Sequence, residues 1–163
     1  MEKQVEKIYT ERLILRGIDE TDTEEIVSWR SDPEVYKYFK RPHRITPEEH
    51  IHWYRNNYLC NPDRFDWMCI EKSSGNKIGV FGLAADGDNV EINYLLASEA
   101  QHKGYAYESV KRLIRYAKEK MNAKKIIALV NTENLPSAAV AEKAGMKPES
   151  RDEIFIRYVI EVI

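Results

Sequence analysis

Three short apolar runs follow one another in the middle of the chain, at residues 65–71, 77–83 and 90–96. Only Ser73-Ser74-Gly75-Asn76 and Asp86-Gly87-Asp88-Asn89 part them, and both are turn chemistry. Links this short leave no room for a crossover helix, so the runs are expected to pair antiparallel as hairpins. Such a sheet needs helical cover, and the flanking sequence supplies it.

Upstream, residues 12–16 read as a first strand closed by Gly17. Residues 19–29 read as a helix begun at Thr21 or Asp22, with Ile26, Val27 and Trp29 apolar, and Ser31-Asp32-Pro33 breaks it. Residues 34–44 are aromatic and basic without a clear period. A second helix opens at Thr46, with Pro47 in the first helical position and Glu49 completing a Thr-x-x-Glu box. It is expected to continue through Ile51, Trp53 and Tyr54 to about Tyr58.

Downstream, Ala106, Val110, Leu113, Ile114, Ala117 and Met121 fall on one face of a long helix. A strand over 125–130 follows. Then comes a helix over 135–144, capped by Asn134, with Pro136 in its first turn and Gly145 ending it. A β-branched strand over 154–163 closes the chain. The expectation is a mixed α/β sandwich in one domain, residues 1–163.

A chain of 163 residues, 43% hydrophobic and 32% charged, can bury one core without disulfides or metals. A net charge of −2 gives no global drive toward nucleic acid or an anionic membrane, so neither is an expected partner. No segment nears the roughly 20 apolar residues of a spanning helix, and residues 1–13 carry charges where a signal peptide needs an apolar centre. Cys60 and Cys69 lack CxxC spacing and are expected to be free thiols, in keeping with a cytoplasmic location. His50 and His52 are two apart on a helix and point to different faces. With His43 and His102 they show no ligand spacing, so no metal is expected.

The stretch Gln101-His102-Lys103-Gly104-Tyr105-Ala106-Tyr107-Glu108 joins the third apolar run to the long helix. Glycine at 104 lets the backbone turn its amides inward, and the helix behind it adds its positive dipole end, which suits a phosphate or pyrophosphate. Gln101 and Lys103 add a donor and a charge at the rim. The competing reading is a plain strand-to-helix connection. The stretch is neither GxGxxG nor GxxxxGK[ST], so the readings attached to those motifs do not apply.

In context, Gln101, Gly104 and Ala106 resemble the Gln/Arg-x-x-Gly-x-Gly/Ala signature of the GNAT-type N-acetyltransferase superfamily, with Glu108 where many members also have Glu. Asn134-Leu135-Pro136-Ser137, followed by Glu142-Lys143-Ala144-Gly145-Met146, is similar to that family's second motif. Residues 10–16 look like the opening strand of the ribosomal-protein alanine acetyltransferase branch. The resemblance covers nearly the whole chain.

It implies a mostly antiparallel twisted sheet flanked by helices, with a splayed central strand pair, and acetyl-coenzyme A as co-substrate. The pyrophosphate would lie on the amides of Gln101, His102, Lys103, Gly104, Tyr105 and Ala106. The pantetheine arm would run along the strand holding Tyr94, Leu95 and Leu96, with Asn134 on its far side. A neutral amine is needed for transfer, and Glu91 is the first candidate for the base. Its alternative is a salt-bridged or solvent-facing strand residue. Many members carry a tyrosine acid four residues before the glycine of the second motif. That position is Ala141 here, so Ser137 is the substitute, or merely a first-turn residue bonding backbone.

The acceptor is expected near the two N-terminal helices, with Trp29, Arg30 and Trp53 in its wall. Both tryptophans, with Tyr54, are first read as core or interhelix packing, and the pocket wall is the functional reading set beside it. The segments at 29–35 and 50–54 resemble amino-sugar N-acetyltransferases acting on nucleotide-linked sugars, and also ribosomal-protein or peptide N-terminal acetyltransferases. A small-molecule amine is favoured. A protein N-terminus and a non-catalytic acetyl-coenzyme A sensor remain alternatives, and a homodimer follows by analogy with the family.

Overall fold

The computed structural model describes residues 3–162. The strands are β1 (Ile8–Tyr9), β2 (Leu13–Gly17), β3 (Arg64–Glu71), β4 (Lys77–Asp86), β5 (Asn89–Leu96), β6 (Lys125–Asn131), β7 (Lys147–Arg151) and β8 (Phe155–Glu161). They form one sheet in the order β1-β2-β3-β4-β5-β6-β8-β7. Neighbours are antiparallel except for β5 and β6. The three apolar runs of the sequence are the β3-β4-β5 meander.

Helices cover both faces. α1 (Thr23–Arg30), α2 (Pro33–Tyr36) and α3 (Pro47–Trp53) precede the meander, and α4 (Tyr105–Lys120) and α5 (Leu135–Lys143) follow it. Burial of four consecutive β3 residues, 66–69, reflects cover on both sides. Trp67 and Cys69 pack with Val110, Leu113 and Ala117 of α4 in the larger cluster. Met68 packs with Ile26 of α1 and with Tyr58, so even-numbered β3 positions face the N-terminal helices.

Several boundaries follow local chemistry. The Thr46 hydroxyl accepts from the Glu49 amide, Pro47 begins α3, and Glu49 returns a bond to the Thr46 amide. α3 stops at Trp53, and a π-helical turn, Tyr54–Tyr58, carries the chain on. The expected helix over 19–29 divides into a 3-10 turn, Glu20–Asp22, and α1; Asp19, rather than Thr21 or Asp22, caps it. Behind that turn Asp22 is fully buried and takes a bidentate pair from Arg16 and a second cation from Lys77, at 2.8 Å.

β1 and β7 have no counterpart in the sequence reading. β1 is two residues long, and every residue of β7 is exposed, so neither shows an apolar period. Ile163, the last residue of the expected closing strand, lies outside the described residues.

Candidate active site

The segment from Gln101 to Gly104 takes its shape from two left-handed backbone positions, His102 at φ 64° and Gly104 at φ 84°. Gly104, the N-cap of α4, has no side chain to cap it. Among the described residues, the amides of His102, Lys103 and Gly104 donate to no protein acceptor. Those of Tyr105 and Ala106 lie in the first helical turn, where no intrahelical acceptor exists. Five successive N–H groups are thus available at the positive end of a sixteen-residue helix.

The cradle is held from behind. Arg12 donates to the Lys103 carbonyl at 2.9 Å and to Glu108 at 2.8 Å, and its guanidinium lies over the Tyr105 ring. Thr10 and the Arg12 amide also donate to Glu108. Burial pushes the Glu108 carboxyl up, but these bonds outweigh it and hold the group below its ordinary range. Gln101 bonds the Leu96 carbonyl at 3.2 Å and so braces the strand-to-loop junction.

The sheet opens next to this loop. β5 pairs with β4 along its whole length, but with β6 only at Asn89, Val90 and Glu91. Beyond Glu91 the two strands diverge, and the β5 edge that faces β6 has no ladder partner among the described residues. A cleft of about 970 Å³ runs through the gap. It is lined at one end by Gln101, Gly104, Ala106 and Asn134, and at the other by Arg30, His50, Trp53 and Asp66.

Between those ends β5 presents two faces. Tyr94 turns toward α5 and donates to Ser137 Oγ at 3.1 Å, with its ring stacked on Phe81. Burial raises the Tyr94 hydroxyl above its ordinary value, against the bond to Ser137. The Asn134 side chain accepts from the Ser137 amide, which fixes the first turn of α5 at the cleft wall. Glu91 and Asn93 turn to the opposite face, toward the N-terminal helices. The Glu91 side chain is 37% exposed and pairs with Lys40 at 3.4 Å.

The floor on that face is one row across three strands: Asp66, Gly82 and Asn93 are register partners. Gly82 is required there, because a Cβ would lie 2.1 Å from Asp66 Oδ1. Asp66 is 2% exposed, and its Oδ2 accepts from Arg64 at 3.0 Å. Burial drives its carboxyl upward more strongly than Arg64 pulls it down. His50 is 4% exposed, and burial, then Arg30, lower its imidazole, favouring the neutral form.

The cleft therefore gathers Glu91, Ser137, Leu95, Leu96, Gln101, His102, Gly104, Tyr105, Ala106, Asn134, Arg30 and Trp53. Trp29 falls elsewhere, and of Lys103 only the free amide belongs to the cradle. Trp29 packs between the two hydrophobic clusters and does not line the cleft, because that side of α1 faces the core. The Lys103 side chain also stands outside the lining, with its carbonyl turned back to Arg12. Tyr94 as a hydroxyl donor and Asp66 and His50 as cleft groups are additions. A carboxylate inside the apolar run at 65–71 was the available signal for Asp66.

Comparison with known proteins agrees with this geometry. The model of the acetyltransferase (GNAT) domain matches residues 12–147. The N-acetyltransferase YnaD of Bacillus subtilis, itself uncharacterized, is 32% identical over 143 residues, which is 87% of this chain and 83% of that protein. The crystal structure of a domain from Methanocaldococcus jannaschii superposes with a TM-score of 0.81 at 26% identity, over 93% of this chain and 99% of the domain. Spermidine N-acetyltransferase from Vibrio cholerae, solved with CoA and spermine, shares the fold with a TM-score of 0.83 at 22% identity, over 92% and 95% of the two chains. Among the described residues no helix is long and apolar enough to cross a membrane. The chain belongs to the GNAT acetyltransferase family.

Proposed function

We propose that this enzyme moves an acetyl group from acetyl-coenzyme A to a primary amine of a small molecule in one direct step, with amino sugars and nucleotide-linked amino sugars as the leading acceptor class. The observation that carries this reading is the single cleft joining the uncapped amides at 102–106 to the carboxylate of Glu91. Two substrates bound at its two ends would meet beside the divergence of β5 and β6.

Acetyl-coenzyme A supplies the activated acetyl group. The amides from His102 to Ala106 hold its pyrophosphate, and left-handed Gly104 and small Ala106 allow close approach. The unpaired edge of β5 offers backbone groups to the pantetheine amides and an N–H to the carbonyl oxygen that gains charge. Glu91, whose carboxylate pairs with Lys40 at 3.4 Å, accepts the proton of the acceptor ammonium. Ser137, with Tyr94 donating to it, returns a proton to the departing sulfur. In this chain the hydroxyl pair from β5 and α5 takes the role left open by Ala141.

An amine panel incubated with acetyl-coenzyme A and read by product mass spectrometry tests the assignment. Acetylated small amines are expected. Cofactor binding without transfer to any amine would leave a sensor, and transfer confined to peptide N-termini would move the acceptor to proteins. Glu91→Gln is expected to lower transfer about 100-fold with acetyl-coenzyme A affinity retained. An unaltered pH profile in that variant removes Glu91 from the mechanism.

A further inference from the structure

Six buried side-chain polar atoms lack a hydrogen-bond partner among the described residues, and three of them collect at one place. Arg30 Nε, His50 Nε2 and Asp66 Oδ1 belong to residues lining the end of the cleft away from the α4 loop. The other three belong to Glu25, Ser109 and Arg112, which do not line it. Unmet polar atoms are rare in folded interiors, and their concentration on one wall points to a ligand that completes them.

Charge narrows the ligand. Arg30 forms no ion pair or hydrogen bond among the described residues and lies only over the Phe39 ring, while Arg64, a second guanidinium at this end, is committed to Asp66 Oδ2 and lies over the Trp53 ring. Glu49, whose charge Arg30 also feels, is engaged by the Thr46 amide. Glu91 and Glu34 have their own lysines, Lys40 and Lys37. With His50 neutral, the guanidiniums of Arg30 and Arg64 stand against the carboxylate of Asp66. The end of the cleft is net positive whether or not Asp66 holds its proton.

We propose that this wall reads an acidic group on the acceptor: the amine substrate carries a carboxylate or phosphate that pairs with Arg30, and an adjacent N–H or O–H donates to Asp66 Oδ1. The inference rests on the acetyl-transfer reading and names the chemical class of its acceptor. It separates this cleft from one that receives a polycation, because an unpaired guanidinium repels an ammonium brought to the same depth. Asn93, across Gly82 from Asp66, supplies a neutral carboxamide to the same row. His50, held by its contact with Trp53, adds a neutral ring nitrogen.

The test compares matched amines by release of coenzyme A thiol. Serine against ethanolamine isolates the carboxylate, glucosamine 6-phosphate against glucosamine isolates the phosphate, and spermidine is the polycation. The acidic member of at least one pair is expected to lead its partner by about tenfold or more in kcat/KM, and Arg30→Met is expected to reduce that lead to within about twofold. Whichever pair shows the effect identifies the acid. A lead for spermidine or for both neutral partners, or a lead that survives Arg30→Met, overturns the proposal. Asp66→Asn keeps the side-chain shape beside Arg64 and is expected to raise KM for the acidic acceptor; an unchanged KM removes Asp66 from the site. Melting temperatures of both variants establish that they are folded.

If the wild type acetylates none of these amines, calorimetry with serine and glucosamine 6-phosphate on protein saturated with coenzyme A decides. Binding that Arg30→Met abolishes upholds the acidic-group site while the transfer reading fails. Absence of binding to either compound overturns the site itself.

Discussion

The two ends of the cleft are built in opposite ways. The end proposed for the donor is six consecutive residues, Gln101 to Ala106, which offer backbone amides aimed by two left-handed positions and one helix start. The end proposed for the acceptor draws Arg30 from α1, His50 from α3, Asp66 from β3, and Glu91 and Asn93 from β5, and it offers side chains. A backbone cradle tolerates change at most of its positions and fails at the few where conformation is special. A side-chain wall can be retuned one residue at a time.

The sharpest way to break the donor end alone is Gly104→Val. A β-branched residue at φ 84° is strained, and its Cβ would lie 3.2 Å from the Arg12 guanidinium. Affinity for acetyl-coenzyme A is expected to fall about 100-fold, close to 2.7 kcal/mol, by calorimetry. Unchanged affinity would place the cradle elsewhere. The mirror experiment is Gly82→Ala, which drives a methyl into the Asp66 carboxylate. It is expected to raise acceptor KM about tenfold and to cost about 1–3 kcal/mol of stability, with acetyl-coenzyme A binding preserved. Equal weakening of both substrates would mean that the ends are not independent.

Tyr94 lies between the two. Tyr94→Phe is expected to lower kcat about tenfold with both KM values nearly constant, since it removes a proton donor and no binding contact. Because burial raises this hydroxyl, wild-type activity should not lose its acid until the pH exceeds the ordinary tyrosine value of about 10. Constant kcat in the variant would leave Ser137 without need of a partner.

The smallest effect on the cleft is expected from Asp22→Asn, a strong perturbation of the scaffold that leaves both ends in place. Burial pushes the Asp22 carboxyl up, but Arg16, Lys77 and the Asp19 amide together hold it below its ordinary value. A depressed folded-state pKa stabilises fully above the unfolded value, about 3.9, and that contribution disappears as pH falls through the folded value. Asp22→Asn should therefore cost about 3 kcal/mol at neutral pH, and its melting deficit should shrink below about pH 4. A deficit independent of pH would show that the charge is not what stabilises.

How much of this was legible in the sequence follows the same division. Gly104, the Thr46-Pro47-Glu49 start of α3 and the Asn134 cap of α5 act within a few residues of themselves, so their chemistry is written locally. The apolar face of α4 and the β3-β4-β5 meander follow from period alone. β7 escaped because an exposed edge strand of charged residues has no period to read. The Arg30–Asp66 wall and the Tyr94–Ser137 bond join residues 36 and 43 positions apart, and only the sheet register and helix packing bring them together. In the sequence Trp29 stays open between packing and pocket wall for a related reason: an aromatic residue at a helix end suits both, and tertiary packing chose the core.

One titration tests the proposed donor end most directly. Wild-type protein is heated with acetyl-coenzyme A, and in parallel with ATP and NAD, each at a hundredfold excess over the acetyl-coenzyme A dissociation constant measured by calorimetry. Acetyl-coenzyme A is expected to add about 2.7 kcal/mol of apparent stability and to raise the melting temperature, with little change from the other two. A shift with ATP or NAD and none with acetyl-coenzyme A would contradict the assignment of the amides at 102–106.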